Sequence, residues 1–419
     1  MIPEAKDTPL RICLLSYRSN PHCGGQGVYI KNLSRALKGL GHHVEVISGP
    51  PDPNLDGDIN LFRIPGLDLY NPEDLFRVPS LKELSDPVNL IEWLGVSTMG
   101  FPEPFTFGIR ANRFLRNKIR KYDIVHDNQS LSYGIRAINK YIPTIATIHH
   151  PITVDRDLAV KAASSFWQKI KQIRWYSFIS MQKRISRTLS HIITVSKSAR
   201  DDISRDFKIP LQRFRIIPNG INTDLFCPVP EIKRKRDRII VTNSADTPLK
   251  GLDYLLKAVA EISRTRSKIR LIVVGTPKKN GGIEKLIKKL GIGEFVTFTG
   301  RISNDEFVRQ YAKAFLAVVP SVYEGFGLPA GEAMACGLPV VSTTGGALSE
   351  VVGDAGILVP PADSRALAGA VTAILDNPEV AEKMGRAGHE RVHKLFTWKR
   401  AAEMTVEAYR ETISDYGRF

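Results

Sequence analysis

One stretch of seventeen residues decides the fold class: Ser321-Val-Tyr-Glu-Gly-Phe-Gly-Leu-Pro-Ala-Gly-Glu-Ala-Met-Ala-Cys-Gly337. The residues before it, 314–320, form a short apolar run that is typical of a strand buried on both faces of a parallel sheet. Gly325 and Gly327 lack a Cβ atom and allow a sharp loop, and Pro329 suits the start of a helix. A strand, a glycine loop and a helix in this order predict an α/β domain.

Two glutamates, Glu324 and Glu332, lie at the two ends of this loop with seven residues between them. We expect the first at the carboxyl end of the strand and the second in the first helical turn. Ligands of parallel sheets bind at that edge, and two carboxylates there can accept hydrogen bonds from two sets of hydroxyl groups on one ligand. Sugars and riboses carry such hydroxyl groups. The alternative is a packed helix with two solvated glutamates.

The whole string resembles the E-x7-E signature of the retaining glycosyltransferases of family 4. That family has the GT-B fold, in which two Rossmann-like, doubly wound α/β domains face a cleft. Its first glutamate contacts the hydroxyl groups of the donor sugar and its second holds the ribose of the nucleotide, so the resemblance implies these roles for Glu324 and Glu332. The loop residues implied to bind the donor are Gly325, Phe326, Gly327 and Leu328.

The rest of the chain repeats the alternation of short apolar runs with helix patterns, which predicts two parallel sheets covered on both faces. A length of 419 residues also favours two domains. The predicted strands are residues 10–17, 43–48, 123–126, 144–149, 191–195 and 214–217, then 238–242, 269–275, 295–299, 314–320, 339–342 and 356–359.

We predict an N-terminal domain of residues 1–217, a linker at 218–236 that is rich in proline and charge, and a C-terminal domain of residues 237–396. Residues 50–103 are rich in proline and show no helical period, which favours an insertion. The last segment, 397–419, has an apolar face that predicts a helix. The resemblance implies that the first domain binds the acceptor, that the second binds the nucleotide sugar donor, and that the last helix crosses back to the first domain.

The net charge of +16, from 59 Lys plus Arg against 43 Asp plus Glu, favours an anionic partner. A nucleotide diphosphate, an acidic membrane surface and nucleic acid are all compatible with it. Four dispersed cysteines without a paired metal spacing fit a reduced cytoplasm. No apolar stretch is as long as the about 20 residues that a membrane-spanning helix requires, and the N-terminus lacks a secretory signal pattern.

Two glycines, Gly24 and Gly25, lie at the turn between the first strand and the first helix pattern. Such a turn permits close backbone approach, and a helix N-terminus offers N–H groups to a phosphate. A packing role is the alternative. The similarity to the first loop of the family favours donor binding.

His149 follows a predicted strand, with His126 and His150 as neighbours. The resemblance implies that His149 reaches the sugar near its anomeric carbon, as a neutral imidazole that hydrogen-bonds without titrating at pH 7.

Lys250 resembles the family lysine that binds the donor diphosphate and stabilises charge on the leaving nucleotide. The chain departs from the family pattern six residues earlier, where Ser244 replaces an arginine. The second phosphate contact is therefore open between the hydroxyl of Ser244 and other cations near strand ends. The candidate cations are Arg301, Lys278 and Lys279.

Asp56-Gly-Asp58 superficially resembles the D-x-D motif that binds Mn²⁺ or Mg²⁺ in a different glycosyltransferase fold. It lies in the proline-rich stretch and does not follow a hydrophobic strand, so we predict no bound metal and no cofactor.

Residues 158–200 contain nine Lys or Arg and no Asp or Glu, with aromatic and apolar residues between them. A solvated helix face is the default interpretation. The alternative is a surface that lies on anionic lipid, and nucleic acid is less favoured because no recognition motif accompanies the charge. The side chains expected at the lipid are Lys169, Lys171, Arg174, Trp167 and Trp175.

The resemblance implies a metal-independent, retaining hexosyltransferase of the cytoplasm, with association with the inner face of the membrane as a further expectation. Its donor would be a nucleotide diphosphate sugar, and its acceptor a lipid, a glycan or a small molecule. Two alternatives stay open. One is a sugar-nucleotide epimerase of the same fold, and the other is a non-enzymatic, basic protein that binds lipid or nucleic acid.

Overall fold

The computed structural model describes residues 8–19, 25–71, 74, 77–242 and 247–417. The chain divides into two compact units. The N-terminal unit comprises Met1–Val195, Arg200–Ile217 and Trp398–Phe419, and the C-terminal unit comprises Ser196–Ala199 and Pro218–Thr397.

The described part of the N-terminal unit contains a parallel seven-stranded sheet in the order β3-β2-β1-β4-β5-β6-β7. Its strands are β1 Arg11–Ser16, β2 His43–Ser48, β3 Asn60–Arg63, β4 Ile124–Asn128, β5 Thr144–Ile148, β6 Ile192–Thr194 and β7 Phe214–Ile216. The helices that begin in this half of the chain are α1 Gly25–Gly39, α2 Leu81–Leu84, α3 Pro87–Ser97, α4 Glu103–Leu115, α5 Tyr133–Ile138, α6 Ile152–Ala162, α7 Phe166–Trp175, α8 Ile179–Ser186 and α9 Lys197–Phe207.

The described part of the C-terminal unit contains a parallel six-stranded sheet in the order β10-β9-β8-β11-β12-β13. Its strands are β8 Arg238–Thr242, β9 Arg270–Val274, β10 Val296–Phe298, β11 Leu316–Val319, β12 Val340–Thr343 and β13 Ile357–Val359. The helices are α10 Leu252–Ser263, α11 Gly282–Leu290, α12 Asn304–Lys313, α13 Leu328–Ala335, α14 Leu348–Val352, α15 Ser364–Asp376 and α16 Pro378–Leu395, followed by α17 Trp398–Ser414 in the N-terminal unit.

The alternating side chains of β1 show why the N-terminal sheet needs helices on both faces. Ile12 and Leu14 belong to one buried cluster with residues of α1 and α17, whereas Cys13 and Leu15 belong to a second cluster with residues of α4 and α5. Successive residues of a strand point to opposite faces, so a strand that is apolar throughout must be covered twice.

All twelve strands expected from the sequence are present, with ends within two residues of the expected positions. Residues 50–103 hold more structure than their sequence indicated. β3 pairs with β2, and α3 begins after Asp86, whose side chain accepts a hydrogen bond from the backbone N–H of Val88 at 2.8 Å. α3 is apolar along most of its length, so no 3.6-residue period stands out in its sequence.

Among the described residues, no helix combines the length and the apolar character that crossing a membrane requires.

Candidate active site

The strand order of the C-terminal sheet reverses between β8 and β11. β8 has β9 on one side and β11 on the other, so the chain winds away from this point in both directions. In open parallel sheets, ligands bind outside the carboxyl ends of the strands at such a reversal. Lys250 follows β8 and Glu324 follows β11, so both lie at this switch point.

The side chains of Lys250 and Glu324 are in contact. Lys250 Nζ donates a hydrogen bond to Glu324 Oε1 at 2.7 Å, and the hydroxyl of Ser321 donates to the same oxygen at 2.8 Å. The lysine side chain is 30% exposed and the glutamate side chain 12%. A cation and an anion are therefore held together, half-buried, where the sheet geometry places a ligand.

Two glycines shape the loops that carry these residues. Gly251 has a φ of +63°, and a Cβ atom there would lie 2.0 Å from the carbonyl oxygen of Pro320. Gly327, the N-cap of α13, has a φ of +104°, and a Cβ atom would lie 2.7 Å from Leu348 Cδ2. Both positions favour glycine because of the backbone conformation, and at Gly251 the Pro320 carbonyl also leaves no space for a side chain.

Glu332 is the fifth residue of α13, just past the first turn in which the sequence placed it, because the helix begins at Leu328, one residue before Pro329. Burial raises the pKa of this carboxyl group to about 7, and the positive charge of Lys250 acts in the opposite direction. Lys250 therefore acts on both glutamates of the signature, through a direct contact with Glu324 and through its charge on Glu332.

The N-terminal unit has its own polar group at the carboxyl ends of β4 and β5. The half-buried His149 places its Nε2 atom 2.8 Å from Asn128 Oδ1, and its backbone N–H donates to Gln129 Oε1 at 2.9 Å. The ring also packs edge-on against Tyr29 at 4.7 Å between centroids. Burial lowers the pKa of His149 to about 3, so the imidazole is neutral at pH 7.

The two histidines near His149 are engaged within the fold. His126 is buried, with Nδ1 2.6 Å from the hydroxyl of Tyr409 and Nε2 2.7 Å from the hydroxyl of Thr147. His150 Nε2 lies 2.7 Å from Asp155 Oδ2. His126 therefore ties α17 to the sheet of the N-terminal unit, and the sequence carried no signal for this contact.

The remaining candidates differ in how far the structure describes them. Gly25 is the first residue of α1, whereas Gly24 and Ser244 lie outside the described residues. Arg301, Lys278 and Lys279 follow β10 and β9 and are exposed. Phe326 is buried, and Gly325 and Leu328 are half-buried.

Three residues that the sequence did not single out take part in these contacts: Ser321, Asn128 and Gln129. Ser321 lies three residues before Glu324, which is a spacing typical of local side-chain turns.

Both carboxylates of the D-x-D sequence pair with cations of α1. Asp56 accepts a hydrogen bond from Arg35, and Asp58 Oδ2 lies 2.7 Å from Lys38 Nζ. The described residues contain no cluster of three or more His, Cys, Asp or Glu side chains arranged to hold a metal ion.

Two family models match the chain. The model of glycosyltransferase family 4 matches residues 23–225, and the model of glycosyl transferases group 1 matches residues 228–391. Each model falls in one of the two halves of the chain.

Curated relatives and solved structures agree with these matches. An MMP alpha-(1->4)-mannosyltransferase from Mycolicibacterium hassiacum is 45% identical over 410 residues, which cover 97% of this chain and 99% of the relative. Sucrose-phosphate synthase from Thermosynechococcus elongatus superposes with a TM-score of 0.74 at 25% identity, covering 96% of this chain and 99% of that one. The Anabaena protein Alr3699/HepE in complex with UDP and glucose gives 0.70 at 16% identity, covering 96% and 100%.

The two parallel-sheet α/β domains have the GT-B fold, and the 45% identity to a mannosyltransferase over 97% of the chain identifies a transferase enzyme. The chain belongs to glycosyltransferase family 4.

Proposed function

We propose that this enzyme transfers a hexosyl group from a nucleotide diphosphate sugar to a hydroxyl group of an acceptor, with retention of the anomeric configuration. The C-terminal unit binds the donor and the N-terminal unit binds the acceptor. The single observation that carries the proposal is the contact of Lys250 with Glu324 at the switch point of the C-terminal sheet.

Each charged residue of this site has a role that its chemistry fits. The ammonium group of Lys250 binds the diphosphate and stabilises the negative charge that develops on it during transfer. Glu324 accepts hydrogen bonds from the hydroxyl groups of the sugar, and Glu332 from those of the ribose. Arg301, or the hydroxyl of Ser244, completes the phosphate contacts.

His149 binds the transferred sugar as a neutral group. The Nε2–H group of His149 donates a hydrogen bond to Asn128 Oδ1. Nδ1 of the neutral ring then accepts a hydrogen bond, so it can orient a sugar hydroxyl. A neutral imidazole adds no charge beside the anomeric carbon, where positive charge develops.

Retention without a covalent intermediate requires both bond changes on one face of the sugar. The bond between the anomeric carbon and the phosphate oxygen breaks, and the bond from the acceptor oxygen forms on the same side. The departing phosphate oxygen takes the proton of the acceptor hydroxyl. The protein then needs to position the two substrates and stabilise charge, and a separate base is not required.

The names of one relative and one structural neighbour indicate which substrates to test first. The relative at 45% identity is named an α-(1→4)-mannosyltransferase, and a structural neighbour was solved with UDP and glucose. We therefore take mannose as the first candidate for the sugar, glucose as the second, and a glycan hydroxyl as the first candidate acceptor. The cytoplasm is the compartment where such donors are expected.

The test begins with the donor. Thermal shifts are measured with UDP, GDP, ADP and their sugars, because a ligand that binds the folded state raises its apparent stability. The donor found in this way is then incubated with and without glycan acceptors, and the anomeric configuration of the product is read by NMR.

A glycoside of retained configuration, formed only with acceptor, is the expected result. An epimerised free sugar formed without acceptor would instead assign the epimerase reaction, and an inverted product would remove the retaining mechanism. The absence of binding to every nucleotide would favour the non-enzymatic alternative.

A further inference from the structure

α7 carries a row of large apolar side chains on its outer surface. Phe166 and Trp167 are each 72% exposed, Ile173 is 57% exposed, and Ile170 is 37% exposed. Single exposed apolar residues are normal on soluble proteins, but four on one ten-residue helix form a contiguous patch. This patch is not used by the chemistry proposed above.

The arrangement of residues around α7 separates an outer face from an inner face. Successive residues turn by about 100° around a helix, so Phe166, Ile170 and Ile173 form one stripe with Trp167 at its edge. Lys169 and Lys171 fall on opposite sides of this stripe, and both are exposed. An apolar stripe flanked by lysines is typical of a helix that lies in the plane of a lipid interface.

Trp175 does not belong to this outer face, which differs from the expectation from the sequence, whereas Arg174 is exposed as expected. Trp175 stacks on Phe101 at 5.2 Å between ring centroids and also contacts Tyr70 within the N-terminal unit. The guanidinium group of Arg174 donates hydrogen bonds to the hydroxyls of Ser177 and Thr98, both at 2.9 Å. These contacts hold the end of α7 in place and leave the patch facing outward.

The positive charge around the patch favours an anionic partner over a second copy of the chain. Residues 158–200 contain no acidic residue, and Lys169 and Lys171 make the edges of the stripe positive. The acids of α6, which packs against α7, are paired: Asp155 with His150 and Asp157 with Arg156. A second copy of the chain seated on the same patch would bring like charges together, which opposes self-association. An anionic lipid surface offers the complementary charge and an apolar layer for the aromatic rings.

We propose that α7 docks the N-terminal unit on an anionic lipid surface, lying flat, with Phe166, Trp167, Ile170 and Ile173 in the interface and Lys169 and Lys171 at the headgroups. The docking is independent of sugar transfer, because neither substrate takes part in it. Each lysine contributes about a fivefold gain in affinity for an anionic surface.

The test measures binding of the purified full chain to vesicles, without donor or acceptor. Flotation is compared for vesicles of phosphatidylglycerol with phosphatidylcholine and for vesicles of phosphatidylcholine alone. We expect binding to the anionic vesicles that weakens with salt, since the Debye length is about 8 Å at physiological ionic strength. The Lys169→Glu/Lys171→Glu variant should bind at least about 25-fold more weakly.

Matched variants separate docking from general effects of charge or folding. Lys288→Glu/Lys289→Glu changes the same charge on exposed residues of α11, and Tyr141→Ser removes a ring that is also 72% exposed. Both should bind like the unmodified protein, whereas Trp167→Ser should not. Tryptophan emission should shift to the blue on anionic vesicles, and Trp167→Phe should abolish the shift.

Two outcomes would overturn the proposal. Equal recovery of the unmodified protein and the Lys169→Glu/Lys171→Glu variant from anionic vesicles would show that this face does not dock. A dimer that Trp167→Ser disperses, together with no vesicle binding, would assign the patch to a second copy of the chain.

Discussion

The raised pKa of Glu332 predicts that donor binding depends on pH with a definite sign. Burial raises the pKa of this carboxyl group to about 7. If Glu332 accepts hydrogen bonds from ribose hydroxyls, the ionised form binds the donor better, because a carboxylate is a stronger acceptor than a carboxylic acid. The affinity for the donor should therefore rise as the pH is raised through 7.

The size of this effect follows from the ionised fraction. With a pKa of about 7, roughly 3% of Glu332 is ionised at pH 5.5 and roughly 90% at pH 8. If only the ionised form binds, the affinity increases by about 30-fold, or ~2 kcal/mol.

The stability of the ligand-free protein should change in the opposite direction. The folded-state pKa of Glu332 lies above the ordinary value of 4.5, so the folded state binds the proton more tightly than the unfolded state. This contribution to the free energy of unfolding is complete below pH 4.5 and is lost as the pH rises through about 7.

The assay is isothermal titration with the intact nucleotide sugar at pH 5.5, 7 and 8. The intact donor is preferable to the free diphosphate, because its phosphate groups do not titrate in this range. Glu332→Gln should bind with nearly the same affinity at every pH, and Glu294→Gln, which changes an exposed acid of the same unit, should keep the pH dependence. An affinity that is flat or falls with pH in the unmodified protein would refute this role of Glu332.

Three further predictions follow from the site and its surroundings. Glu324→Gln and Lys250→Ala should each lower the rate of sugar transfer by at least about tenfold, or ~1.4 kcal/mol, without a change in circular dichroism; transfer at the unmodified rate by both variants would remove the assigned site. EDTA should leave activity unchanged, and a loss that Mn²⁺ restores would instead favour a metal at Asp56 and Asp58. Burial lowers the pKa of His126 to about 3, so the unfolded state binds more protons between pH 3 and 6.5. The free energy of unfolding should therefore fall as the pH falls through this window, by about 2 kcal/mol at pH 5. Urea titrations of His126→Gln should show a smaller decrease of the free energy of unfolding with falling pH, and a decrease equal to that of the unmodified protein would contradict this role.

The sequence predicted the strands well because parallel strands buried on both faces are continuous apolar runs. β11 and β12 illustrate this, since all of their residues are buried. The same geometry explains why Glu324 and Lys250 could be assigned to one edge from sequence alone. Parallel strands end at the same edge, so residues that follow two neighbouring strands must lie near each other.

Contacts between distant parts of the chain could not be predicted in this way. His126 and Tyr409 are 283 residues apart in sequence, and neither residue type indicates the other. The different environments of the two tryptophans of α7 could not be predicted from the sequence either. Trp167 and Trp175 lie in similar basic surroundings in the sequence, and only the packing of Phe101 and Tyr70 distinguishes the half-buried ring of Trp175 from the exposed ring of Trp167.

The contact between Lys250 and Glu324 also predicts how their variants combine. Glu324 Oε1 accepts hydrogen bonds from both Lys250 and Ser321, so these two residues orient the carboxylate. Lys250→Ala removes the phosphate contact and also leaves the carboxylate without its cation, so it impairs both functions at once. The rate loss of the double variant should therefore be smaller than the product of the two single losses by about a factor of 3 or more, which corresponds to a coupling of at least ~0.6 kcal/mol. The measurement is a double-mutant cycle on kcat/KM, with Ser321→Ala as a third arm that should lower the rate less than either charge variant. Fully multiplicative losses would show that the two residues act on the donor independently and that their contact does not contribute to transfer.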